Sequence, residues 1–192
     1  MFKCHVYDWE EIYKLCRKLA KAVRSSGFLV DAIVAIARGG WVPARILADL
    51  LDVKELYSVK TEHWGIVATI TGKATITQPL TANVEKKNVL IVDDVADTGE
   101  TIKLVKEHVS SLGAKEVRTA VIDYKKTSSF VPDYFAVEIE EWKWIIYPWS
   151  LREDLKGLVA KKGAKDFGEA VKTLREFGVE LSDDVIKEAL ED

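Results

Sequence analysis

The sequence predicts an α/β fold: a doubly wound, mostly parallel sheet with a flap hairpin and a small C-terminal helical extension. Two observations carry this. Short β-branched runs alternate with helix-length amphipathic segments, the pattern of βαβ units. After Trp149 the composition shifts: residues 151–192 hold 8 basic and 11 acidic residues, no proline and no strand-like run. That divides the chain into a core over 1–150 and a helical extension over 151–192.

Asp8 and Glu11 form a capping box for a first helix. Ile12, Leu15, Cys16, Leu19, Ala22 and Val23 give it an inward stripe, and Ser25-Ser26-Gly27 ends it. The apolar run 31–37 is a short strand closed by Arg38-Gly39-Gly40. A helix follows with Pro43 in its first turn and Ile46, Leu47, Leu50 and Leu51 turned inward. A strand over 55–60 leads into residues 64–80, two β-branched segments around Thr71-Gly72-Lys73, which read as a hairpin or flap.

Asn88-Val-Leu-Ile-Val92 is the clearest buried strand. The helix behind it carries Ile102, Val105, Val109 and Leu112 and stops at Gly113. Strands over 117–123 and 133–139 flank Lys125-Lys-Thr-Ser-Ser-Phe-Val-Pro132, and the aromatic stretch 142–149 closes the core. Two or three short helices follow, the last capped by Ser182 ahead of Asp183 and Asp184.

Composition narrows the function classes. The chain has 192 residues with 28 basic and 31 acidic side chains, a formal net charge of -3. No basic face for nucleic acid is implied. The two cysteines, Cys4 and Cys16, lack metal-ligand spacing and suit a reducing cytoplasm. No run is long and apolar enough for a membrane span, and the N-terminus lacks the apolar stretch of a signal peptide. The expected protein is soluble and cytoplasmic.

The sharpest signal is Val89-Leu-Ile-Val-Asp-Asp-Val-Ala-Asp-Thr-Gly-Glu-Thr-Ile102. A parallel strand delivers Asp93 and Asp94 to the sheet edge where ligands of such folds bind. The loop behind them enters a helix N-terminus, whose free N–H groups and dipole favour an anion. Gly99 lets the backbone come close, and Thr98 and Thr101 offer hydroxyls. Carboxylates repel phosphate, so the two acids serve sugar hydroxyls or a magnesium ion. A phosphorylated sugar meets both halves. A Walker B strand would need GxxxxGK[ST] upstream, and there is none; a receiver domain carries its paired aspartates on the first strand. Helix capping explains only one of the three acids.

This stretch resembles the phosphoribosyl diphosphate (PRPP) motif of type I phosphoribosyltransferases, and the likeness extends over residues 1 to about 149. Ala35-Ile-Ala-Arg-Gly-Gly-Trp-Val-Pro43 resembles the family's pyrophosphate loop and helix, where the peptide at Arg-Gly-Gly is often cis. The resemblance implies that Asp93 and Asp94 hold the ribose hydroxyls and, directly or through them and water, Mg2+. It puts Val95, Ala96, Asp97, Thr98, Gly99, Glu100 and Thr101 around the 5-phosphate, with Glu100 turned to solvent. Arg38 and Gly39 would take the pyrophosphate, and Asp97, near purine N7, would be the general base or acid. Catalysis would rest on Asp97 and Arg38, with His63 and Lys73 of the flap as further pyrophosphate contacts.

Lys125, with Lys126 beside it, matches the lysine that donates to a purine O6 in 6-oxopurine members. Trp144 matches their stacking aromatic, and Ile145 would offer backbone groups to the purine edge. A lysine donor suits hypoxanthine, guanine or xanthine better than adenine, whose N6 is itself a donor. Relatives often carry an acid directly after the Pro-Trp pair, near a magnesium ion; this chain has Ser150, with Glu153 and Asp154 later. The helical tail resembles that of archaeal relatives. The expected activity is transfer of 5-phosphoribosyl from PRPP to a free purine in purine salvage, by a homodimer or homotetramer. Adenine as the base, or a non-catalytic sensor of PRPP or nucleotides on the same fold, are the alternatives. A sensor of that kind would want a basic DNA-binding module, which the charge does not supply.

Overall fold

The computed structural model describes residues 2–63 and 74–191. Its elements run β1 (Cys4–Val6), α1 (Trp9–Ser25), β2 (Ala32–Ala37), α2 (Trp41–Leu50), β3 (Glu55–His63), β4 (Ala74–Gln78), β5 (Asn88–Ala96), α3 (Glu100–Ser111), β6 (Glu116–Lys125), β7 (Tyr134–Ile139), β8 (Trp144–Ile146), α4 (Leu151–Lys162), α5 (Phe167–Glu176) and α6 (Asp183–Leu190). They gather into two compact units, Ile12–Glu141 and Met1–Glu11 with Trp142–Asp192.

The larger unit is built on a six-stranded sheet of order β4-β3-β2-β5-β6-β7. Every pairing is parallel except β3 with β4. This is the expected α/β class, a mostly parallel sheet with flanking helices. From β2 the chain steps outward to β3, and from β5 it steps the other way to β6 and β7, so the topological switch lies between β2 and β5. All six residues of β2 are buried, as a strand covered on both faces requires. On one face Val34, Ile36, Val89, Ile91 and Val121 pack with Ile102, Val105 and Val109 of α3. The alternating residues Ile33, Ala35, Leu90 and Val92 are buried too.

The helices follow the expected signals with local differences. Asp8 and Glu11 cap α1 reciprocally, each backbone N–H donating to the other's carboxylate at 3.0 and 2.7 Å. Its buried stripe is Ile12, Cys16, Leu19, Ala20 and Val23, with Leu15 and Ala22 half-buried. α2 buries Pro43, Ala44, Leu47 and Ala48 rather than Ile46, Leu50 and Leu51, which are half-buried. Two alanines on that face let the helix come close to the sheet, and the inward face turns toward Ala44 and Ala48, so of the expected set only Leu47 is fully buried. Leu112 caps α3 and stays 37 % exposed. β3 and β4 are antiparallel, with His63 in register with Ala74. The expected flap turn, Lys73 included, lies outside the described residues, as does the His63 side chain.

In the smaller unit β1 and β8 form a parallel pair, Cys4 opposite Trp144 and Val6 opposite Ile146. Neither three-residue strand was read from the sequence, because a run that short carries no periodicity. Ile146, Leu155, Leu158, Leu174, Phe177, Val179 and Ile186 form this unit's core. Three helices make up the tail. Ser182 caps α6 by accepting from the Val185 N–H at 3.4 Å, and Asp166 caps α5 through the Glu169 N–H at 2.9 Å. Among the described residues no helix is long and apolar enough to cross a membrane.

Candidate active site

β5 runs to Ala96, four residues past the apolar run that identified it, so Asp93 and Asp94 lie on the strand itself. Pairing of β5 with β2 ends at Val92, opposite Ala35, whereas pairing with β6 continues to Ala96, opposite Tyr124. The two central strands therefore part company at the switch point. A cavity of about 240 Å³ opens there, lined by Arg38, Gly39, Thr61, Asp93, Asp94, Val95, Ala96, Asp97, Thr98, Gly99, Thr101 and the apolar Ile36, Ala37 and Ile102.

Two close approaches shape this cavity. The Ala37–Arg38 peptide is cis. A Cβ at Gly39 would run into the Asp94 carboxylate, 2.5 Å from its Cγ, so only a glycine lets the β2–α2 loop lie against that acid. At the other end Gly99 has φ +84 and forms the N-cap of α3. A Cβ there would stand 2.5 Å from Ser128 Oγ and 2.7 Å from the backbone nitrogen of Phe130. The loop is fixed from that side as well: the Ser129 N–H and Oγ–H both donate to the Thr98 carbonyl, at 2.9 and 2.8 Å. With Thr98 O taken, the N–H groups of the first turn of α3 are what the loop presents to an anion.

Burial, and then the Asp94 carboxylate alongside, hold the Asp93 carboxyl well above the ordinary aspartate value; the Asp94 N–H, donating to Asp93 Oδ1 at 3.0 Å, partly offsets this. A raised acid favours folding only while protonated. Its contribution is full below the unfolded value of about 3.9 and is lost as pH rises through the higher folded value. Asp93→Asn, which cannot ionise, should therefore gain stability over the wild type as pH rises from 4 to 8. Urea midpoints across that range test it; a constant or shrinking difference would show that Asp93 ionises without penalty.

Asp97 stands at the mouth with its side chain 34 % exposed and accepts from Lys125 Nζ at 2.8 Å, a lysine whose side chain is 3 % exposed. Lys125 thus lies behind Asp97, at the end of β6, and is not among the lining residues. Lys126 turns to solvent and pairs with Glu138 and Glu140 at 2.9 and 2.8 Å. Those bonds raise its ammonium pKa. Glu100 is exposed in the first turn of α3 and does not line the cavity. Trp144 and Ile145 belong to the smaller unit: Ile145 is buried, and the Trp144 indole N–H donates to Asp154 Oδ1 at 3.0 Å.

The cavity contains one polar lining side chain the sequence reading passed over, Thr61, besides the apolar Ile36, Ala37 and Ile102, and leans on two more residues, Ser128 and Ser129. The Ser-Ser pair before Phe130 is a weak signal; its meaning comes from the contact with Thr98, 31 residues away. Among the described residues no group of three His, Cys, Asp or Glu side chains converges to cage a metal. Two adjacent carboxylates suit an ion that takes its other oxygens from a bound phosphate and from water, as Mg2+ does.

The phosphoribosyl transferase domain model matches residues 5–154. The chain is 30 % identical over 145 residues to a xanthine-guanine phosphoribosyltransferase of Nitratidesulfovibrio vulgaris, covering 73 % of this chain and 81 % of that protein. Among solved structures, a purine phosphoribosyltransferase from Pyrococcus horikoshii aligns with a TM-score of 0.66 and 35 % identity, covering 76 % of this chain and 93 % of that one. A hypothetical protein from Neisseria gonorrhoeae with bound ppGpp aligns with a TM-score of 0.69 and 29 % identity, covering 85 % and 99 %.

Proposed function

This chain belongs to the phosphoribosyl transferase domain family, and we propose that it moves the 5-phosphoribosyl group of PRPP onto a 6-oxopurine, giving a nucleoside monophosphate and pyrophosphate. The observation that carries this reading is the cavity at the β2–β5 switch, where two adjacent acids, an arginine-glycine loop and a helix N-terminus converge. A sugar diol, a pyrophosphate and a terminal phosphate ask for those three chemistries. Purine as the acceptor is favoured by the names of the relatives from N. vulgaris and P. horikoshii.

In this reading Asp93 and Asp94 grip the ribose hydroxyls. A carboxylate accepts from each of two vicinal hydroxyls, which donate. The Ala96–Thr101 loop encloses the 5-phosphate with its amides and with the hydroxyls of Thr98 and Thr101. Arg38 and the backbone of Gly39 face the pyrophosphate, neutralising charge as the anomeric C–O bond breaks and the purine nitrogen bonds to C1. The transition state has oxocarbenium character, which the neighbouring carboxylates favour. Asp97 exchanges the imidazole-ring proton of the base. Lys125, at the end of β6, donates to the 6-oxo oxygen. Mg2+ would be held by Asp93 and Asp94 together with substrate oxygens, and would supply further charge neutralisation on the leaving group.

The test is an absorbance assay with PRPP, Mg2+ and each purine in turn. Turnover of hypoxanthine, guanine or xanthine is expected, and turnover of adenine alone would overturn the choice of base. A second reading, a nucleotide sensor without catalysis, is favoured by the Neisseria relative with bound ppGpp; PRPP binding without turnover of any purine would select it. We also propose a homodimer or homotetramer working in the cytoplasm, with residues 1–150 as the catalytic core.

A further inference from the structure

We infer that Ser129 is a positioning residue that keeps the Thr98–Gly99 peptide with its N–H, and not its carbonyl, turned toward the 5-phosphate, a role that rests on the phosphate site proposed above. The Thr98 carbonyl accepts twice from Ser129, from its N–H at 2.9 Å and from its Oγ–H at 2.8 Å. Both lone pairs of that oxygen are thereby taken. The peptide is trans, so the Gly99 N–H lies on the side opposite the carbonyl. Thr98 and Gly99 line the cavity and Ser129 does not. A peptide whose oxygen is tied to Ser129 therefore directs its N–H to the cavity side.

The orientation needs fixing because the second residue of this peptide is a glycine. Turning the peptide over would take Gly99 from φ +84 to the negative side, and glycine populates both sides about as readily. The turned form would present the Thr98 carbonyl oxygen to the phosphate, a partial negative charge in place of a donor. Ser129 can decide between the two forms because its own segment is tied down within the larger unit. The Ser128 N–H donates to the Lys125 carbonyl at 2.8 Å, and Ser128 Oγ donates to the Phe130 carbonyl at 2.8 Å. Phe130 packs against the core of that unit, with Lys106 Nζ 5.5 Å from its ring centroid. Past the turn, Asp133 Oδ2 accepts from the Thr119 N–H and Oγ1 at 2.9 and 2.8 Å. Apparent affinity falls with the fraction of molecules in the competent form, so a clamp of this kind acts on phosphate binding without touching the phosphate.

The experiment compares the wild type with Ser129→Ala and Ser129→Thr. Ser129 is exposed, so neither substitution disturbs the core. Dissociation constants of ribose 5-phosphate and of pyrophosphate are measured, with steady-state constants for PRPP and the purine and the position of the Gly99 amide resonance. Ribose 5-phosphate reports on the phosphate loop without the pyrophosphate. Ser129→Ala keeps the backbone bond to Thr98 and loses the hydroxyl one. It should weaken ribose 5-phosphate binding and raise KM for PRPP about five-fold, the scale of one neutral hydrogen bond. Pyrophosphate affinity, KM for the purine and kcat should move less than about two-fold. Ser129→Thr keeps the hydroxyl and should restore every constant to within about two-fold of the wild type. The Gly99 amide resonance of the unliganded protein should move in Ser129→Ala and stay in place in Ser129→Thr. An unchanged ribose 5-phosphate constant in Ser129→Ala overturns this inference alone, as does an equal loss in both variants or an equal loss for pyrophosphate. A wild type that binds neither ribose 5-phosphate nor PRPP overturns the functional reading and this inference with it.

Discussion

Asp97→Asn should lower kcat by about 10² to 10⁴, the usual share of a general acid or base. It should leave the dissociation constant of PRPP within about three-fold. The substitution is nearly isosteric, and the amide oxygen can still accept from Lys125 Nζ, now at 2.8 Å from the carboxylate. The fold therefore survives while the proton-carrying group is lost. Equal losses of rate and of PRPP affinity would show that Asp97 only positions the substrate. Both Asp97→Asn and Asp97→Ala withdraw the negative charge from an ammonium whose side chain is 3 % exposed. Asp97→Ala also removes the oxygen that accepts from Lys125 Nζ, so it should lose about 1 kcal/mol more stability in urea than Asp97→Asn, the scale of one hydrogen bond.

Gly40→Ala should abolish PRPP binding and destabilise the fold by about 3 kcal/mol, at the upper end of overpacking costs. The reason is space rather than backbone conformation, since Gly40 sits at φ -68 and ψ -12, open to any residue. A Cβ there would stand 2.7 Å from the Ile36 carbonyl oxygen and 2.9 Å from the Ile36 nitrogen, and closer still to the Val92 carbonyl. All three are backbone atoms of the two central strands, so α2 would have to move off the sheet and take Arg38 and Gly39 with it. Gly39→Ala meets a side chain instead, the Asp94 carboxylate. That variant should keep its urea midpoint close to the wild type while binding PRPP about ten-fold more weakly, because the displaced acid is a proposed ribose contact. Wild-type stability in Gly40→Ala would mean that α2 does not start so close to β5.

The elements legible in the sequence are those with local, repeated signals. The capping box at Asp8 and Glu11, the buried run at 88–92, the α3 stripe and the Ser182 cap each announce themselves within a few residues. The acidic motif was legible for the same reason, since strand, acids, turn and helix start follow one another without interruption. Side-chain volume at the sheet was not: Leu47 packs inward as expected, but the close approach at Gly40 brings Ala44 and Ala48 in beside it and leaves Ile46, Leu50 and Leu51 half-buried.

The sequence by itself determined the α/β class, the order of the main strands and helices, and the chemistry gathered at 93–101. Only the tertiary structure decided what stands against that motif: Gly39 on Asp94, Lys125 behind Asp97 and Ser129 on Thr98. The same holds within the smaller unit for β1 beside β8 and Asp154 on Trp144. Secondary structure and loop chemistry follow from neighbours along the chain, whose preferences add up within one segment. Contacts between residues tens of positions apart depend on how whole strands and helices pack, and no periodicity in the sequence encodes them.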